Sequence, residues 1–305
     1  MMFKKDLLGL KDMTAEEITG ILDHAVGMKE AFVGGRQLSS LSGKCVTTLF
    51  YENSTRTKNS FETAARMLGA RTMSVSAATS SVQKGESLID TGKTLDALRT
   101  DAIVIRHSMA GAPHLLAANV KACVVNAGDG MNEHPTQSLL DLFTMREKFG
   151  TIKGLRVVLV GDVRHSRVAR SNLWALEKLG AETVVVGPCT LIPKGIEDLG
   201  CEVSYDIEDA LIGANVVMGL RIQRERQKAG LFPSLAEYSA EFGINADRLY
   251  GICENALVMH PGPVNRGVEL SGEVADCANS AINEQVTNGV AVRMAVMDIL
   301  VGGRG

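Results

Sequence analysis

Residues 45–57 read Cys-Val-Thr-Thr-Leu-Phe-Tyr-Glu-Asn-Ser-Thr-Arg-Thr. The first part, 45–51, is a β-rich apolar run. From Ser54 to Leu68, residues Phe61, Ala64, Ala65 and Leu68 recur at helical spacing, and Gly69 supplies the stop. A strand that runs through a short polar loop into a helix is the repeating unit of an α/β sheet. The helix start offers free N–H groups and the positive end of the dipole, which together form an anion site. Ser54, Thr55 and Thr57 add hydroxyl donors, and Arg56 adds a guanidinium fork suited to phosphate. An ordinary hydroxyl cap beside a solvent-facing arginine would also read this way. A cap needs one hydroxyl, though, and this junction has three.

The same alternation extends in both directions. Thr14-Ala15-Glu16-Glu17 is a capping box that opens a helix to about residue 31. Further strands are expected at 72–75, 102–106 and 122–126, with helices at 86–98 and 114–119. Pro135 suits the first turn of a helix running to about 149. The run Gly150 to Gly154 then breaks the pattern, which divides the chain into domains of residues 1–150 and 151–280. In the second domain, strands are expected at 156–160, 183–186, 215–218 and 256–259. Helices are expected at 166–179, 207–211 and 235–242. A closing helix over about 281–305 is expected to pack back on the first domain. The expected class is α/β, with each domain a parallel β-sheet flanked by helices in a doubly wound, Rossmann-like arrangement.

Composition narrows the function. The 305 residues carry 32 lysines and arginines against 35 acids, a net charge of −3. That balance and an aromatic content of 4% disfavour nucleic-acid binding. No apolar run reaches the roughly 18 residues a membrane helix needs, and the N-terminal apolar stretch is too short for a signal peptide. The expectation is a soluble, cytoplasmic protein with no membrane association. The six cysteines lack CxxC spacing and read as reduced thiols. The histidines lack HExxH or comparable spacing, so no metal is expected.

In parallel sheets, ligands bind beyond the carboxyl ends of the strands. Arg106 follows Ala-Ile-Val-Ile at such an end, although a lone strand-end arginine is more often a surface group. His107 and His114 read as structural or surface residues. His134-Pro135-Thr136-Gln137 lies at another loop-to-helix junction. There His134 can donate to a carbonyl oxygen and Gln137 can accept from an N–H, while a cap or surface histidine remains the blander alternative. Gly161-Asp162-Val163-Arg164-His165-Ser166-Arg167 sits where a dinucleotide fold has its glycine turn. GxGxxG is absent, and the next strand ends in Gly187-Pro188 with no acid for a ribose hydroxyl. A dinucleotide cofactor is therefore disfavoured, and Arg164 and Arg167 remain anion-binding candidates. Arg221-Ile222-Gln223-Arg224-Glu225-Arg226 reads either as a solvated charged loop or as a carboxylate site. His260-Pro261-Gly262-Pro263 fixes a rigid loop with exposed carbonyls.

Taken together, these segments resemble the aspartate carbamoyltransferases. Ser54-Thr55-Arg56-Thr57 is similar to the family's carbamoyl-phosphate motif. His134-Pro135-Thr136-Gln137-Ser138-Leu139-Leu140-Asp141 is similar to its second signature, and His260-Pro261-Gly262-Pro263-Val264-Asn265-Arg266-Gly267 to its third. The matching segments keep their order across about 51–300. Tyr51, Asn53 and Ser138 stand where many relatives carry phenylalanine, proline and alanine, and none of these changes removes a phosphate donor.

The resemblance implies a carbamoyl-phosphate-binding first domain and an aspartate-binding second domain. Ser54, Thr55, Arg56 and Thr57 would cradle the phosphate, and Arg106 would bridge phosphate and carbonyl. Thr57 and His134 would help polarise that carbonyl. Gln137 and the backbone of Pro261, Gly262 and Pro263 would hold the carbamoyl amide. Ser80 and Lys84 would come from a neighbouring subunit, with Ser81 an alternative to Ser80. Arg167, Arg221 and Gln223 would bind aspartate. The family implies a homotrimer with shared active sites and no cofactor. Regulatory chains or a dihydroorotase are possible partners.

The nearest rival is ornithine carbamoyltransferase. Its His-Cys-Leu-Pro loop is replaced here by His260-Pro261-Gly262-Pro263, and its Asp-x-x-x-Ser-Met-Gly motif is missing. A non-catalytic module that binds phosphate or amino acids is the rival from another class. A nucleotide-dependent oxidoreductase is a weaker third.

Overall fold

The computed structural model describes residues 4–76, 85–223 and 231–304. The chain divides into two compact units, one formed by Met1–Phe143 with Val286–Gly305 and the other by Thr144–Gln285. By packing, the division falls at Phe143, inside the helix that precedes the Gly150–Gly154 break.

The first unit begins with α1 (Ala15–Val33), which opens on the expected capping box. Thr14 Oγ1 accepts from Glu17 N–H, and the Glu17 carboxylate accepts from Thr14 N–H. Then come β1 (Cys45–Phe50), α2 (Thr55–Met67), β2 (Arg71–Ser76), α3 (Leu88–Ala97), β3 (Ala102–His107), α4 (Ala112–Ala117), β4 (Cys123–Asp129) and α5 (Pro135–Phe149). The strands form a four-stranded parallel sheet in the order β2-β1-β3-β4. β1 and β4 are buried along their whole length. That is why neither shows a polar–apolar alternation, and why the polar residues they do carry, Thr47, Thr48, Asn126 and Asp129, are buried. One face packs Leu49, Ile103, Ile105 and Val124 against Leu95 of α3 and Leu116 of α4.

The second unit contains β5 (Arg156–Val160), α6 (Arg167–Lys178), β6 (Glu182–Val186), β7 (Cys201–Ser204), α7 (Ile207–Leu211), β8 (Val216–Gly219), α8 (Leu235–Phe242), α9 (Ala246–Ile252), β9 (Leu257–Met259) and α10 (Gly272–Ala275). Its five-stranded parallel sheet has the order β7-β6-β5-β8-β9. The last helix, α11 (Ile282–Val301), belongs to the first unit from Val286 onward. Both sheets are the parallel, helix-flanked layers expected of the α/β class. β7, α9 and α10 were not anticipated. β7 is a short edge strand with only its first residue buried, so it carries no apolar run. α9 and α10 are very short, and their Asn245 and Ser271 caps resemble ordinary turn residues.

Where strands end, buried carboxylates organise the backbone. Asp129, at the end of β4, is fully buried. It accepts from Gly111 N–H at 2.7 Å, from Asn126 Nδ2 at 2.8 Å, and from Glu133 N–H and Asn132 Nδ2 at 3.1 Å. Glu133 in turn accepts from Leu10 N–H at 2.7 Å and Lys11 N–H at 3.3 Å, which anchors the N-terminal segment. In the second unit Gly161 has φ +127°. A Cβ there would lie 2.7 Å from the Tyr238 hydroxyl and 3.1 Å from the Leu220 carbonyl. A Cβ on Gly187 would lie 2.6 Å from the Gly161 carbonyl. Both turns therefore require glycine.

Asp129→Ala leaves buried donors without an acceptor, and each such group costs about 1–3 kcal/mol. The expected outcome is a loss of at least about 3 kcal/mol, read as a lower denaturant midpoint for the first unfolding transition of the purified chain.

Candidate active site

In the first unit the phosphate-like junction forms where β1 passes into α2. Ser54 takes the N-cap position with extended backbone (φ −159°, ψ 92°), yet its hydroxyl makes no capping bond. By contrast Thr14, Ser87, Ser166 and Ser234 each cap their own helix with a side-chain oxygen. The plain-cap reading thus loses its main support, and the Ser54 hydroxyl is not consumed by the helix. Thr57 is buried, whereas Thr55 and Arg56 are exposed.

Arg106 lies at the end of β3, which pairs with β1 in register at Phe50. Its Nη1 donates to the Ala127 carbonyl at 3.2 Å, and its Nε lies 3.4 Å from a Glu52 carboxylate oxygen. The guanidinium is mostly buried, so these two contacts hold its fork rigidly before any ligand arrives. Glu52 sits inside the quoted segment, but its pairing with a residue two strands away in sequence carried no sequence signal. The neighbouring His107 ring lies 4.5 Å from the Tyr51 ring, and its Nδ1 accepts from Met109 N–H. Burial pushes its pKa down, opposed by the charges of Glu52 and Asp129. The neutral form fits its structural role, as expected.

His134 and Gln137 lie at the start of α5, both buried. The His134 carbonyl accepts from Gln137 N–H at 3.0 Å, closing the first turn. Gln137 Nε2 donates to Asp141 Oδ1 at 3.0 Å. Its amide nitrogen is thereby committed, while Oε1 remains an acceptor.

The second unit gathers its candidates at the ends of β5, β8 and β9. Arg167 opens α6 and is buried, just after Ser166, whose hydroxyl accepts from Ala169 N–H. Asp162 fills the turn after β5. It accepts from His165 N–H at 3.2 Å, from His165 Nδ1 at 2.8 Å and from Gln223 N–H at 3.4 Å. A protein carboxylate thus occupies the turn in which a dinucleotide fold would bring its N–H groups to a pyrophosphate.

Glu269 does comparable work nearby. It accepts from Ile222 N–H and Asn265 N–H at 2.8 Å each, and from the Asn265 side chain at 2.6 Å. One carboxylate therefore ties the Arg221–Gln223 segment to the loop that follows Pro261-Gly262-Pro263. Burial pushes the Glu269 pKa up, and the donated N–H groups oppose that shift. Within that loop, Gly262 N–H donates to His260 Nδ1 at 2.8 Å, and His260 N–H donates to Gln285 Oε1 at 3.0 Å. Asp162 and Glu269 were missed in the sequence, because an isolated acid after a strand carries no spacing signal.

Ser80, Ser81, Lys84, Arg224 and Arg226 lie outside the described residues. Among the described residues, no group of histidine, cysteine, aspartate and glutamate could hold a metal ion. Nor is any helix there long and apolar enough to cross a membrane. Cys45, Cys123, Cys201 and Cys253 are buried, and burial pushes the thiols of Cys201 and Cys253 up to about 11. Both are therefore unreactive at neutral pH.

Comparison with known proteins identifies the family of both units. Residues 5–147 match the carbamoyl-P binding domain of aspartate/ornithine carbamoyltransferases, and residues 153–300 match the Asp/Orn binding domain. A relative from Acetivibrio thermocellus, named aspartate carbamoyltransferase catalytic subunit, is 61% identical over 97% of this chain and 95% of its own. The crystal structure of aspartate transcarbamoylase from Trypanosoma cruzi, in complex with carbamoyl phosphate and aspartate, superimposes with a TM-score of 0.89. It is 29% identical, covering 97% of this chain and 96% of that one. Ornithine carbamoyltransferase from Pyrococcus furiosus superimposes almost equally well, with a TM-score of 0.88 at 32% identity over 98% of both chains. The fold is thus common to enzymes named for two different amino acids. The two family-model matches together span nearly the whole sequence, and the chain belongs to the aspartate/ornithine carbamoyltransferase family.

Proposed function

We propose that this chain transfers the carbamoyl group of carbamoyl phosphate to the α-amine of L-aspartate, giving N-carbamoyl-L-aspartate and phosphate for pyrimidine synthesis in the cytoplasm. The observation that carries this reading is the near-full-length identity to a protein named aspartate carbamoyltransferase catalytic subunit. The shared fold alone would serve ornithine equally well.

In this reading Ser54, Thr55, Arg56 and Thr57 cradle the phosphate at the start of α2, and the uncommitted Ser54 hydroxyl supports that role. Arg106 bridges the phosphate and the carbamoyl oxygen. Thr57 and His134 join it in stabilising the oxyanion that forms when the amine attacks, with donors aimed where charge develops. The new bond joins the aspartate nitrogen to the carbamoyl carbon, and the bond that breaks joins that carbon to the phosphate oxygen. The leaving phosphate takes the amine proton. Gln137 Oε1 and the backbone carbonyls of Pro261, Gly262 and Pro263 accept from the carbamoyl amide. Arg167, Arg221 and Gln223 bind the two aspartate carboxylates, for which bidentate arginine contacts supply orientation. Ser80 and Lys84 reach the site from a neighbouring copy in a homotrimer. Acyl transfer from a mixed anhydride to an amine needs no redox group. Positioning and electrostatics carry the rate.

Incubation with carbamoyl phosphate and either amino acid tests the assignment: phosphate release is expected with aspartate, and faster turnover of ornithine would overturn it. Arg56→Ala is expected to lower kcat/KM by more than about 10²-fold while circular dichroism stays native. Arg221→Ala should raise the aspartate KM about 10–100-fold, the range of a charged hydrogen bond, with little change in the KM for carbamoyl phosphate. Mixing inactive Arg56→Ala and Lys84→Ala chains should restore activity in exchanged hybrids. Absence of recovery after verified exchange would count against Lys84 acting from a neighbour.

A further inference from the structure

A polar chain stands behind Gln137 in the first unit. Asp141, one turn along α5, is fully buried, and its Oδ1 accepts from Gln137 Nε2 at 3.0 Å. An ionised carboxylate only accepts, so it draws the amide nitrogen inward and leaves Oε1 for another donor. A buried carboxylate needs a compensating charge. Arg293 of α11, itself only 4% exposed, supplies it. The Asp141 charge acts on that guanidinium against the burial that lowers it to about 10, so it stays a cation at neutral pH.

Arg293 Nη1 also donates to Ser60 Oγ at 2.8 Å, and its guanidinium stands 5.0 Å over the Phe61 ring. Ser60 and Phe61 lie on α2, whose first turn carries Thr55, Arg56 and Thr57. Gly289 makes room for the arrangement, since a Cβ there would lie 2.5 Å from Arg293 Nη1. None of Asp141, Arg293 and Ser60 has a role in the reaction described above.

We propose that Asp141, through its hydrogen bond to Gln137 Nε2, is a positioning residue that fixes the Gln137 amide with its oxygen outward, so that the site selects a carbonyl bearing an NH2 group over its methyl isostere. This rests on the reading that Gln137 accepts from the carbamoyl amide. Without a fixed acceptor the amide could turn its own N–H outward, donor against donor, and the selection would vanish.

The probe is acetyl phosphate, which carries CH3 where carbamoyl phosphate carries NH2. In the full-length enzyme, the KM for carbamoyl phosphate is compared with the inhibition constant of acetyl phosphate. Gln137→Ala is expected to lower the preference for carbamoyl phosphate about tenfold, the size of one hydrogen bond. Asp141→Asn is expected to do the same. The new amide offers an NH2 as well as an oxygen, so it no longer compels the Gln137 amide to turn its nitrogen inward. The double variant should lose no more than either single one, because the two residues act through one contact. A purely packing role for Asp141 would weaken both ligands alike and leave the preference intact, and that result overturns the proposal. If Gln137→Ala itself leaves the preference unchanged, the assignment of Gln137 to the carbamoyl amide fails first, and the proposal with it.

Gln137→Glu decides the matter should Asp141→Asn fail to fold. When protonated, the introduced carboxyl group donates its O–H to Asp141 and turns its carbonyl outward, as glutamine does. When ionised, it faces the like charge of Asp141, which raises its pKa, and it repels the carbamoyl phosphate anion, which raises the KM. The KM for carbamoyl phosphate, relative to the parent enzyme, should therefore be near parity at low pH and rise with a midpoint well above the ordinary glutamate value of about 4.3. A flat ratio, or a midpoint at the ordinary value, overturns the proposal.

Discussion

Backbone that leaves a parallel sheet must find acceptors for N–H groups that no neighbouring strand takes up. In this chain buried carboxylates provide many of them. Asp129 and Glu133 gather the turns after β4 and the N-terminal segment. Asp162 and Glu269 gather the turns after β5, β8 and β9. Burying an anion is costly unless it is fully hydrogen-bonded. The N–H groups repay that cost, and the loops lose their freedom in exchange. Among the described residues, the loops that carry candidate ligand-binding side chains lean on one of these anions or on a paired arginine.

This explains how an acidic chain can present basic sites. The formal charge of −3 averages over acids that face inward as backbone acceptors and bases that stand at strand ends. Arg106 is held by Glu52 and a backbone carbonyl. Arg221 belongs to a segment tied down through Ile222 and Gln223. Guanidinium groups oriented in advance need little reorganisation as charge develops, which is the condition for strong electrostatic catalysis.

The strands and long helices were legible because their signals are local. β1 and β5 are rich in β-branched and apolar residues, α5 starts at its proline, and α1 opens on a complete capping box. β7 was not legible, because a short edge strand buries too little to need an apolar pattern. The basic and hydroxyl candidates stood out because they lie in contiguous motifs. The acids that organise them did not. Glu52 meets Arg106 and Glu269 meets Ile222 only after the chain has folded. Such pairings leave no periodicity to read. The Gly150–Gly154 break marked a real interruption in chain pattern, but compactness follows packing, and α5 carries the chain across the division intact.

The close approach of Gly161 and Gly187 bears on how this architecture can diverge. At these turns a single added carbon collides with backbone, so mutation has almost nowhere to go. Arg221 and Gln223 sit on a partly exposed segment whose backbone is fixed while its side chains are open to exchange. Substitution at Arg221 and Gln223 can therefore change the chemistry at this strand end without disturbing the glycine turn after β5. The fold shared at 32% identity with an enzyme named for ornithine accords with such a division between fixed turns and exchangeable side chains.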